Sequence, residues 1–120
     1  MSIHNPMPKW INYRVAPTSK VTVRVTIGDA QQGGWAIGFG PDDVKKGSEP
    51  DPVPIGVGKD VKGRTLQVVA TVVDVRPETN RLSATVTVSG GPDGAVKVPQ
   101  SYDDGSTGDS ALLTTLVGFE

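Results

Sequence analysis

The sequence predicts an all-β chain folded as an antiparallel β-sandwich of about eight strands, and three observations carry that prediction. Val21-Thr22-Val23-Arg24-Val25-Thr26-Ile27 alternates apolar and polar residues without a break. A period of two marks a strand with one buried and one solvated face. The rhythm returns at Leu82 to Val88, where Leu82, Ala84, Val86 and Val88 alternate with Ser83, Thr85 and Thr87. Fifteen Gly and ten Pro cut the 120 residues into short runs, as in sandwiches and barrels.

The elements follow in order. Ser2 to Pro8 holds two prolines and no periodicity, and reads as a loose lead-in, leaving residues 9–120 as one domain. Ile11, Tyr13 and Val15 alternate with Trp10, Asn12 and Arg14, and Pro17-Thr18-Ser19 turns the chain into the Val21 strand. Pairing these two strands as a hairpin puts Ile11, Tyr13 and Val15 on the inner face and leaves Trp10, Asn12, Arg14 and Arg24 outside. Trp35, Ile37 and Phe39 alternate with Ala36 and Gly38, small residues that suit close approach of another backbone or layer.

Pro41 to Gly47 runs from acids to bases and closes on Gly, which predicts one short helix after Phe39. Three prolines keep Ser48 to Pro54 irregular, and Ile55 to Val61 reads as extended. Thr65 to Val75 is apolar on both faces, which places it centrally in its sheet. Pro77 to Asn80 then predicts a hairpin into Leu82 to Val88 whose register two loop lengths leave open. Gly90 to Gly94 is a turn, Ala95 to Val98 a short strand, Pro99 to Ser110 a polar loop, and Ala111 to Phe119 the closing strand. The strand count lies in the range of Ig-like sandwiches and jelly rolls, although the Cys and Trp pattern of immunoglobulin domains is missing.

Composition narrows the chemistry. Without Cys there are no disulfides, thiolate nucleophiles or Cys-held metals. The one His, His4, lies in the proline-broken N-terminal segment, which would have to fold back onto a serine to build a triad. A net charge of −1 argues against a nucleic-acid binder. No stretch approaches the roughly 20 apolar residues of a membrane helix, and no signal peptide precedes Lys9, so a cytoplasmic setting is the default expectation. Glycine pairs such as Gly33-Gly34 and Gly56-Val57-Gly58 precede no helix long enough to cradle a phosphate.

Three groups of residues invite functional readings. Trp10, Asn12 and Arg14 with Arg24 join an indole to a planar amide and guanidinium, which suits stacking on a sugar ring or anchoring a protein partner. The plain alternative is an indole covering a sheet edge. Asp103, Asp104 and Asp109 lie among hydroxyls and glycines, a set of hard oxygen ligands that could hold Ca²⁺, with Asp42, Asp43 and Asp51 as a second acidic group. The spacing is not that of an EF-hand, and solvated turn residues explain it equally well. Asp74 is the acid inside an apolar strand, but no second carboxylate is placed beside it for glycoside hydrolysis. The expectation is therefore a non-catalytic module recognising a protein partner or a glycan through a sheet face or loop end. A Ca²⁺-dependent sandwich and a structural subunit of a larger assembly are the alternatives, and the oligomeric state is open.

Overall fold

A computed structural model describes residues 3–28, 32–40, 44–75, 81–103 and 108–120. Two sheets pack face to face, as the alternation predicts. The first contains β1 (Ile3–His4), β2 (Lys9–Tyr13), β4 (Gln32–Gly38), β5 (Val44–Gly47), β7 (Thr65–Val73) and β10 (Ser110–Phe119). The second runs β6 (Val53–Val57), β3 (Lys20–Ile27), β8 (Leu82–Ser89), β9 (Val96–Tyr102). In the first, β10 and β7 lie side by side at the centre, with β1 and β2 beyond β10 and β4 and β5 beyond β7. Ten strands form among the described residues, close to the eight expected.

The core is aliphatic. Val21, Val23 and Val25 of β3 and Leu82, Val86 and Val88 of β8 meet Leu66, Val68 and Val72 of β7 and Leu113 and Val117 of β10, all buried. Each of these side chains removes enough apolar surface from water to contribute about 1.5–3 kcal/mol. Tyr13, Phe39 and Phe119 close one end, with ring centroids 6.1 and 6.3 Å from that of Phe119. Gln100 of β9 ties the layers together, donating to the Thr114 carbonyl and to Thr115 Oγ1 of β10.

The expected hairpins are replaced by crossings between sheets. β2 does not pair with β3; it lies parallel to β10, Trp10 opposite Leu116 and Tyr13 opposite Phe119. The Pro17 to Ser19 turn instead docks on a helix, Gly58 N–H donating to the Ser19 carbonyl and Lys59 N–H to that of Pro17. β7 and β8 likewise belong to opposite sheets, so neither register proposed for that hairpin exists, and the Pro77 to Asn80 loop lies outside the described residues. The period of two fixes which side chains face inward, but strands facing each other across a core satisfy it as well as strands side by side.

Four element boundaries also differ. Ile3–His4 is a strand, held by pairing with Ser110 and Ala111. Val44 to Gly47 forms β5 against β4 rather than a helix, because one helical turn is not stable alone while an adjoining strand supplies hydrogen bonds. The short helix, α1, is Gly58–Val61, within the stretch read as extended. Val61 is buried, and a Cβ at Gly58 would collide with the Ala16 carbonyl. β9 runs through Pro99 to Tyr102, taking in the start of the expected loop; Pro99 fits because β9 is an edge strand. No helix among the described residues is long and apolar enough to cross a membrane.

Candidate functional site

Strand registers place a continuous row across the outer face of the first sheet. Val44 lies opposite Gly38, Gly38 opposite Gln67, Gln67 opposite Leu116, and Leu116 opposite Trp10. Directly opposed residues share a face, so all five side chains or Cα atoms point away from the core. Four strand steps of about 4.8 Å make the row about 19 Å long. Trp10 is 58% exposed at one end and Val44 43% at the other.

Neighbouring rows complete the surface. Asn12 stands by Gly118, where a Cβ would come within 3.0 Å of Asn12 Oδ1, so the missing side chain makes room for the amide. Lys46, Ala36, Val69 and Thr114 form the row on the other side. Gly34, Ala36 and Gly38 give β4 a floor of small residues, and a groove of about 520 Å³ opens above Ala36 and Gly38 between Val44, Gln67 and Leu116. Phe39 ends the groove, half-buried, with the Arg64 guanidinium 4.1 Å from its ring centroid, a cation–π contact. Among the described strand residues facing outward here, Lys46 alone is charged.

The residues singled out in the sequence divide between faces. Trp10 and Asn12 lie on this surface; Arg14 follows β2 beyond its end, with Asp93 3.9 Å away. Arg24 is on the outer face of the second sheet, opposite Thr87, and so cannot share a ligand contact with Trp10. The hairpin that would have joined them does not form.

The acidic loop is also divided. Asp103 lies 3.8 Å from Arg81, whereas Asp109 accepts a 3.0 Å bond from His4 Nε2. Tyr102 hydroxyl bonds the other ring nitrogen of His4 at 3.0 Å and its ring stacks on the imidazole at 4.5 Å. Asp109 is thus occupied in fastening β1 to the end of the sandwich. Asp104, Asp42 and Asp43 lie outside the described residues, and among the described ones no three His or acidic groups gather as a metal site. Asp74 is buried at the end of β7, its amide donating to the Asp109 carbonyl and its carbonyl accepting from Gly108.

Gln67, Leu116 and Val44 were not singled out in the sequence, although the signals were present. Val69 and Val73 make β7 apolar on its outer side as well, and Ala36 and Gly38 are small where the groove needs a floor. No family model, curated protein or solved structure matches the chain.

Proposed function

We propose that the protein is a non-catalytic binding module that takes an elongated, uncharged glycan across the outer face of its first sheet. The observation that carries this reading is the row Trp10, Leu116, Gln67, Gly38, Val44, set among described outward strand residues of which Lys46 alone is charged. The indole offers a flat apolar surface to the C–H side of a sugar ring. The Asn12 and Gln67 amides and the Thr65 and Thr114 hydroxyls supply donors and acceptors alongside, without the desolvation cost of burying a charge. The Gly38 floor lets a chain sink between Val44 and Gln67 instead of resting on side chains. Strands hold these groups in place before binding, which limits the entropy lost on association.

The test is a glycan array probed with the native protein, Trp10→Ala and Gln67→Ala. Neutral oligosaccharides are expected among the ligands, with binding weakened about tenfold or more in each variant, since a central aromatic or buried amide contact is worth roughly 2 kcal/mol. Binding that survives both substitutions, or an array without neutral ligands, refutes the reading. Capture of a protein by this face with no glycan bound would shift the assignment to a protein partner.

A further inference from the structure

The outer face of the second sheet has a different chemistry. Its outward positions include Pro54 on β6 (opposite Thr22), Lys20, Thr22, Arg24 and Thr26 on β3, Ser83, Thr85, Thr87 and Ser89 on β8, and Lys97, Pro99 and Ser101 on β9. Among these described positions there is no acid and no aromatic ring. Three cations stand among hydroxyls, although the whole chain carries 13 acidic against 12 basic residues. Lys20, Arg24 and Lys97 are all exposed, and none has an ion-pair partner among the described residues.

Their spacing is set by the sheet. Arg24 lies opposite Thr87 and Thr87 opposite Lys97, so the two cations are about 10 Å apart with a hydroxyl between them. Lys20 is four residues along β3, about 13 Å from Arg24. Beside them a groove of about 300 Å³ is lined by Lys9, Arg81, Ser83, Thr85 and Ser101, with Arg81 also near Asp103. Every side chain in the Arg24, Thr87, Lys97 row can donate a hydrogen bond and none carries negative charge.

We infer that this face binds a sulfated polysaccharide. Widely spaced cations interleaved with hydroxyls match a chain bearing sulfate esters at intervals between neutral hydroxylated rings. A nucleic acid fits less well: single strands need aromatic platforms for their bases, which the face lacks, and a duplex needs more phosphate contacts than three cations supply. The assignment does not depend on the Trp10 surface, which lies on the opposite side of the molecule.

Immobilised heparin tests it, using the native protein, Arg24→Gln/Lys97→Gln, and a control, Lys46→Gln/Lys62→Gln, that loses the same net charge elsewhere. All substituted residues are exposed, and thermal unfolding confirms that each variant folds. The native protein is expected to bind with salt-sensitive affinity, to lose about tenfold or more in the first variant and to change less than about twofold in the control. Trp10→Ala should bind heparin as the native protein does. Equal losses in the two double variants, no loss in either, no native binding, or equal or tighter binding to polyuridylate or an acidic peptide overturns the proposal.

Discussion

Leu82 and Leu116 are both strand leucines, yet one is fully buried between the sheets and the other partly exposed on the outer groove. Leu82→Ala should therefore cost about 3 kcal/mol by leaving a cavity, whereas Leu116→Ala should cost less than about 1 kcal/mol. Chemical denaturation of the two variants separates them, and equal losses would mean that Leu116 of β10 does not face outward as Leu82 of β8 faces inward. Tyr13 makes a different contribution. Its hydroxyl accepts from Gly91 N–H at 2.8 Å and donates to the Gly94 carbonyl at 2.7 Å, fastening the turn between β8 and β9 to the first sheet. Tyr13→Phe keeps the ring against Phe119 but leaves that amide without its acceptor, so a loss of about 1–2 kcal/mol is expected in the same measurement. Native stability in the variant would show that the turn is held by other contacts.

At the scale of elements, both edges of the second sheet are blocked in the same manner. β6 carries Pro54 and β9 carries Pro99, and the carbonyl of each accepts from a lysine of the first sheet, Lys45 and Lys9 respectively. In a strand, a residue's N–H and carbonyl point to the same side, so neither proline offers a free donor or a free acceptor at the open edge. Edges disarmed in this way resist pairing with another chain. Restoring a donor and removing the cover with Pro99→Val/Lys9→Gln should produce dimers or larger species by light scattering at concentrations where the native protein gives none. An unchanged size distribution would mean that β9 is protected otherwise. These edge residues were legible as strand breakers, and their positions were not. Pro99 looked like the start of a loop because a proline ends a central strand; on an edge it need not. The inward residues of β3 and β8 followed from alternation, and the central place of β7 from its apolar residues on both faces. Pairing partners did not, since Val15 and Val21 bury equally well across the core or side by side. Trp10 was recognised as a surface residue, but its neighbours Leu116, Gln67 and Gly38 come from strands 28 to 106 residues away, a distance periodicity cannot bridge.

At the scale of the molecule, the two sheets turn unlike surfaces outward. At its described outward strand positions one is almost uncharged, with an indole and a glycine-floored groove; the other, at its own, has hydroxyls and cations and no acid. Sheets stacked about 10 Å apart put the two faces on opposite sides of the molecule, so a ligand on one is expected not to compete with a ligand on the other. If both proposals hold, the pair of surfaces suits a module that bridges a neutral and an anionic glycan, with Trp10 and Arg24 on opposite faces. The most direct measurement is amide NMR of one labelled sample titrated in turn with a neutral oligosaccharide from the array and with a heparin fragment. The neutral ligand should shift Trp10, Gln67, Leu116 and Gly38, the sulfated one Lys20, Arg24, Thr87 and Lys97, with neither displacing the other. Shifts from both ligands on a single set of residues, or confined to the loops at the ends of the sandwich, would contradict the account.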